Sequence, residues 1–239
     1  MEKFLNSLPG EIYSSLIVVI VLSVVFILMG NALKKADPMK PTKGLAFLGE
    51  YLFTFTNEFV DNNMGKNYNK LKPYLMLLII LIPSYFLVGL FGLPSPMTYW
   101  GIPLTFALIT FILIHLNSIR FTKWGYFKRF VDPFPKIPVF LPINIIAMFA
   151  PIISLSFRMF GNALSGMIIM QLVYWSTELV TGLFLDIPGL NLLGPLVAPV
   201  LHAYFDIFSA VIQTIVFVYL TAFFIAGEEP DEIEEDALV

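Results

Sequence analysis

One arginine stands inside a long apolar run. Arg158 is preceded by Ile152-Ile153-Ser154-Leu155-Ser156-Phe157 and followed by Met159-Phe160-Gly161-Asn162-Ala163-Leu164-Ser165-Gly166, with hydrophobic sequence beyond on both sides. A guanidinium at the centre of a bilayer costs about 2.5 to 3.5 kcal/mol on insertion scales, and arginine stays charged where a lysine could neutralise itself. A permanent cation in that setting implies a function that needs one. The alternative, an arginine that snorkels or pairs inside its own bundle, fits poorly with its distance from either end of its helix. On a helix, Ser154 at i−4, Asn162 at i+4 and Ser165 at i+7 project from the arginine's face. Gly161, Ala163 and Gly166 keep the surface slim enough for a second helix to approach, which small-residue packing alone would also require.

A second polar stripe lies further along. His202, Asp206, Ser209 and Gln213 are spaced to share one face of one helix. A carboxylate with an imidazole one turn away and an amide two turns on has what a proton relay needs: titratable groups able to exchange protons, and dipoles that hold water. The competing reading is a hydrogen-bonded seam between helices. Asp206 favours the relay, because an ionisable group is a costly choice for packing alone. Glu178, about 30 Å beyond Arg158 at 1.5 Å per residue, is too distant to touch the arginine. It marks either an outer mouth or a plain interfacial carboxylate.

The elements that carry these residues must live in lipid. The 239 residues are 58% hydrophobic and only 13% charged, and a water-solvated globular surface needs far more charge. There is no cysteine and there are two histidines; disulfides and thiolate chemistry are excluded, and neither a metal site nor a cofactor is expected. Seven acids, Glu228, Glu229, Asp231, Glu232, Glu234, Glu235 and Asp236, crowd the C-terminus, so the body of the chain is basic despite a net charge of −3. Nothing points to a nucleic-acid partner.

About 20 apolar residues cross a bilayer, which places helical spans near 12–32, 73–93, 102–119, 138–181 and 196–226 within a single membrane domain, 1–239. The first apolar stretch is long for a signal-peptide core and is read as a retained span. Lys34, Lys35, Lys40, Lys43, Lys66, Lys70 and Lys72 fall between the first two spans, and Arg120, Lys123, Lys128, Arg129 and Lys136 between the third and fourth. Both loops are therefore cytoplasmic, with the N-terminus outside and the acidic tail, 228–239, inside. The expected fold is an all-α polytopic membrane protein. Leu45, Phe47, Leu48, Leu52, Phe55 and Phe59 recur at helical spacing in the first cytoplasmic loop, which predicts a helix that lies on the membrane, docks on a partner, or covers its own bundle.

The fourth apolar segment is too long to cross directly, since some forty residues extend about 60 Å against a hydrocarbon core of roughly 30 Å. It must lean steeply, kink or break, and Pro142 and Pro151 supply break points near its start. The fifth is expected to run unbroken from Val200 to Ala226. Joined through Pro188, Gly189, Gly194 and Pro195, the two form a long tilted antiparallel hairpin able to follow a curved partner.

The run Pro151 to Gly166, with Ser-Leu-Ser-Phe-Arg-Met-Phe-Gly-Asn, closely resembles the signature of subunit a of the F-type ATP synthase. Phe-Asp-x-Phe-x-x-x-Ile-Gln-x-x-x-Phe-x-x-Leu-Thr over 205–221 is similar to that family's last helix, and Pro133-Phe134 and Leu141-Pro142-Ile143-Asn144 match in order and spacing. The resemblance is specific over 132–226 and collinear from about 45 to 120. It implies a stator subunit, not catalytic by itself, that offers two half-channels to the carboxylates of a rotating c-subunit ring. Peripheral-stalk b subunits and membrane lipid are further implied partners, and the bacterial plasma membrane the location. Arg158 would attract each deprotonated ring carboxylate and separate the half-channels. Asn162, Asp206 and Gln213 match positions lining the outer one, and Ser154 a polar position beside the inner one; Ser165, Glu178, His202 and Ser209 are further candidates for the lining.

The chain departs from the family pattern where many members carry Glu or His, for it has Met167 there. Asp206 takes that duty, helped by His202 or Glu178. Ala147 and Ala150 likewise replace a common Glu and Lys. Three rival readings remain: a stand-alone channel or secondary transporter, a purely structural membrane subunit, and an intramembrane hydrolase using Ser165 and His202. The last lacks the Gly-x-Ser-x-Gly setting, and none accounts for both polar stripes. Whether the ion is H⁺ or Na⁺, and whether synthesis or pumping dominates, is not written in these residues.

Overall fold

A computed structural model describes residues 9–37, 40–123, 141–185 and 191–227. Backbone groups in hydrocarbon must be satisfied within their own segment, and the described residues answer with helices alone. These are α1 (Gly10–Lys35), α2 (Leu45–Asn63), α3 (Lys72–Leu87), α4 (Gly101–Thr122), α5 (Leu141–Leu185), α6 (Gly194–His202) and α7 (Ser209–Ala226). Five stretches are long and apolar enough to span a membrane: Gly10–Lys35, Lys66–Phe91, Gly101–Thr122, Pro142–Phe184 and Gly194–Ala226. Their number and order are those of the five expected segments, although residues 138–140 of the fourth lie outside the described residues. The acidic tail and residues 124–140, where Lys128, Arg129 and Lys136 fall, lie outside the described residues.

Most of the deeply buried positions come from α3, α4, α5 and α7, joined by Val60 of α2 and Met97 of the α3–α4 connection. Leu75, Leu78 and Ile82 of α3, Met159 of α5, and Ala210, Phe217 and Ile225 of α7 are all 0% exposed. Phe217 meets Phe106 of α4 edge to face at 6.4 Å. At the far ends of α4 and α7, buried Asn117 donates from Nδ2 to the Ile225 carbonyl at 3.1 Å, tying the two helices together. By contrast α1 buries only Ser14, Val18 and Met29. Its remaining apolar surface is what lipid would cover.

The predicted loop helix exists as α2. Gly65, at φ 87, follows it and donates its N–H to the Val60 carbonyl, a left-handed exit open to glycine at little steric cost. One face of α2 covers the bundle: Gly49 lies against Leu33 and Met29 of α1, and Phe59 meets Tyr219 of α7 at 4.9 Å. The other face exposes Phe47, Tyr51 and Phe55, whose rings stack in series.

Two expectations about the long segments are corrected. Pro142 does not break its helix; it is the second residue of α5, where the missing N–H would be unbonded in any case. Pro151 lies inside α5 and does not end it; one lost backbone bond is absorbed by a helix of 45 residues. With no break, α5 must lean or kink within the layer, because it extends about 68 Å at 1.5 Å per residue. The fifth segment is not a uniform helix. Ala203–Phe208 forms a π-helical stretch between α6 and α7, and the N–H of Ser209 reaches back to the Tyr204 carbonyl, five residues away rather than four.

Asn191 holds the hairpin closed. Its Nδ2 donates to the Tyr174 carbonyl at 3.1 Å and to Thr177 Oγ1 at 3.0 Å, while its Oδ1 accepts from the N–H of Gly194 at 2.6 Å, capping the first turn of α6. Residues 186–190 of the expected Gly/Pro loop lie outside the described residues.

Candidate functional site

Arg158 sits on α5 with its side chain exposed. Beside it, Leu155 and Met159 are buried against the core; helical geometry therefore turns Arg158 and Ser154 away from the bundle. The guanidinium donates from one Nη to Ser154 Oγ at 3.1 Å. Among the described residues no carboxylate pairs with it. Phe157 lies against Trp100, at the start of α4, with rings 5.9 Å apart, and Phe149 stacks on Phe111 at 5.6 Å. These contacts fix the first half of α5 along α4, antiparallel to it.

The register between α5 and the last segment follows from one glycine. A Cβ placed on Gly166 would lie 3.5 Å from Phe205 Cβ, so the two chains meet closely there. From that contact, eight residues back along α5 reach Arg158, and eight forward along the last segment reach Gln213. Each step is about 12 Å. Arg158 and Gln213 thus lie at similar depth, although one is exposed and the other 2% exposed. Gln213 Nε2 has no hydrogen-bond partner among the described residues.

The four-residue stripe on the last segment divides in two. His202 and Asp206 stay together: His202 Nδ1 lies 2.5 Å from Asp206 Oδ2, with side chains 31% and 23% exposed. Ser209 and Gln213 are buried beyond the π-helical stretch, which advances the backbone by about one residue, roughly 100° of rotation. Ser209 Oγ bonds back to the Tyr204 carbonyl at 3.5 Å. The single face expected for all four does not form, because an i→i+5 stretch interrupts the 3.6-residue period on which that expectation rests.

His202 and Asp206 border a cavity of about 210 Å³. Ala163, Gly166, Met167, Gln171 and Tyr174 wall it on the α5 side, and Leu93, Pro94, Ser95 and Thr98 of the α3–α4 connection lie over it. That connection is at the opposite end of α3 from Lys66, Lys70 and Lys72. Tyr174 was not singled out in the sequence, where an aromatic near a helix end reads as an interfacial anchor; its Oη lies 3.0 Å from His202 Nε2. Gln171 was missed as well, for no signal in its neighbours marks it.

The other candidates fall apart from this cluster. Ser165 is exposed and donates to the Asn162 carbonyl at 3.1 Å. Both ring nitrogens of His202 face other partners, so the structure builds no Ser165–His202 dyad. Asn162 is half-buried one turn from Arg158, and Glu178 is exposed one turn beyond Tyr174 without lining the cavity. No group of three or more His, Asp or Glu able to hold a metal occurs among the described residues. A second cavity, about 320 Å³, lies between α2, α3 and α7 beside Glu58, Asn62, Asn63 and Tyr219. It includes no residue of α5.

Comparison with known proteins agrees along nearly the whole chain. The family model described as ATP synthase A chain matches residues 12–226. ATP synthase subunit a of Mycoplasma genitalium is 34% identical over 223 residues, covering 88% of this chain and 76% of its own. The Mycoplasma pneumoniae protein of the same name is 31% identical over 223 residues, again covering 88% and 76%. That of Streptococcus agalactiae serotype Ia is 29% identical over 233 residues, covering 90% and 89%.

Proposed function

Given that the chain belongs to the ATP synthase A chain family, we propose that it is the stator side of a transmembrane proton path, offering two half-channels to the carboxylates of a rotating c-subunit ring. Peripheral-stalk b subunits and lipid cover other faces of the bundle, and ATP hydrolysis or synthesis belongs to the rest of the complex. The observation that carries this reading is Arg158: a cation held in an apolar helix, exposed, and without a carboxylate partner among the described residues.

The partner carboxylate comes from the ring. Two unit charges about 4 Å apart attract by roughly 4 kcal/mol at an effective dielectric near 20. That is enough to capture an ionised ring site and too little to hold it against the motion of the complex. A protonated ring carboxylate gains no such attraction. Arg158 therefore lets a ring site pass only after it has surrendered its proton, and its charge repels a proton that would cross directly.

The cavity over Asp206 and His202 is the outer half-channel in this reading. It lies under the α3–α4 connection, remote from the basic residues that mark the cytoplasmic side. Asn162 and Gln213 continue it toward the arginine, and Ser165, Ser209 and Glu178 are secondary members of the lining. The inner half-channel opens beside Ser154, on the exposed face of α5, and is completed by the ring. The N-terminus is outside and the acidic tail is in the cytoplasm of a bacterial cell.

ATP-driven proton pumping by the assembled complex in vesicles, with Arg158 native or Arg158→Ala, tests this directly. Pumping is expected to vanish while assembly persists, and passive proton leak through the membrane sector to rise. Unchanged pumping would make Arg158 structural and the mechanism wrong.

A further inference from the structure

Three side chains from two helices form one hydrogen-bonded line. Tyr174 Oη meets His202 Nε2 at 3.0 Å, and His202 Nδ1 meets Asp206 Oδ2 at 2.5 Å. The line follows the wall of the cavity beneath the α3–α4 connection. Of the residues lining that cavity, these three alone titrate; α5 contributes only Tyr174, and α3 and its connection contribute none. The backbone is arranged around the line as well. Asn191 fixes the Tyr174 carbonyl from the α6 side, and the π-helical stretch begins immediately after His202. An i→i+5 stretch within a helix is rare, and where one occurs it is frequently at a functional site.

We infer that Tyr174, His202 and Asp206 form a proton wire that is the titratable route through the outer cavity. The inference rests on the half-channel reading above and deepens it. An ionised carboxylate can only accept, so the imidazole presents Nδ1–H to Asp206 and accepts at Nε2 from the tyrosine hydroxyl. A proton delivered by cavity water binds Tyr174 Oη as the tyrosine's own proton passes to Nε2 and the Nδ1 proton passes to Asp206. Tyrosine and imidazole end neutral and Asp206 gains one proton. Asp206 then releases its proton inward, and the imidazole returns to its first tautomer by exchanging protons with cavity water, with no net change in charge.

The test is passive proton conduction through the membrane sector, per assembled complex, in vesicles stripped of the ATP-hydrolysing portion. His202→Ala is expected to slow conduction about tenfold and Tyr174→Phe several-fold, in the range of a single proton-transfer group. Imidazole added on the outer side should restore much of the His202→Ala loss, which a packing defect would not allow. Native conduction in both variants, or an assembled His202→Ala complex that imidazole fails to rescue, would overturn the wire. If Asp206→Asn blocks conduction while His202→Ala conducts normally, the wire is wrong and the half-channel reading stands; if Arg158→Ala pumps normally, the half-channel reading itself fails.

Discussion

Gln213 buries a side-chain amide among the helices. It is 2% exposed and its Nε2 meets no acceptor among the described residues, a burden of about 1 to 3 kcal/mol for a buried donor. A leucine there would relieve that burden. Gln213→Leu is therefore expected to leave assembly and heat resistance unchanged or improved, while pumping falls about fivefold, the rate equivalent of one hydrogen bond worth about 1 kcal/mol. Heat-inactivation midpoints and pumping rates measured on the same vesicles would check it, and unchanged pumping would return Gln213 to packing. Met167 makes the opposite case. It lines the cavity where family resemblance leads one to expect an ionisable group, and the carboxylate and the imidazole stand on the facing segment instead.

At the scale of elements, the contact of Gly166 with Phe205 sets the register that brings Tyr174 to His202. A methyl at Gly166 would sit at ordinary contact distance, 3.5 Å from Phe205 Cβ. Gly166→Ala should assemble and pump normally, whereas Gly166→Leu should cost about 1 to 3 kcal/mol of overpacking, read as loss of assembled complex. The π-helical stretch admits a sharper test. Deleting Ala203 would restore an i→i+4 ladder and turn His202 by roughly 100° relative to Gln213. Helix content would hardly change, yet proton conduction should drop on the order of 100-fold, as misplacement of a reacting group does. Circular dichroism and conduction on one preparation would decide, and retained conduction would mean that the stretch serves packing only.

That stretch is also what the sequence conceals. The spans, the loop helix and the Arg158 and Asp206 positions are legible because apolar runs and isolated charges have large transfer energies. A π-helical stretch leaves no such mark: Ala203 to Phe208 contains no proline or glycine, and a change of hydrogen-bond partner by one residue is decided by how the helices pack. Tyr174 escaped notice for a related reason, since its partner comes from another helix and only the hairpin joins them. Pro142 misled in the other direction, since proline reads as a breaker unless the helix start is known to lie beside it.

For the whole molecule, the distribution of lysines sets an orientation that can be read chemically. The chain has no cysteine, so single introduced cysteines report without background. Lys40→Cys should react with a membrane-impermeant maleimide only from the cytoplasmic side and Leu192→Cys only from outside, and the reverse pattern would invert the topology. The long apolar stretch of α5, Pro142–Phe184, carries a further consequence. A helix about 65 Å long inside a layer of roughly 30 Å is a ramp whose two ends stand far apart sideways. Anything that moves along such a helix is carried sideways as well as across the layer, and under the proposed mechanism that lateral reach is what lets one chain serve two access paths that do not lie above one another.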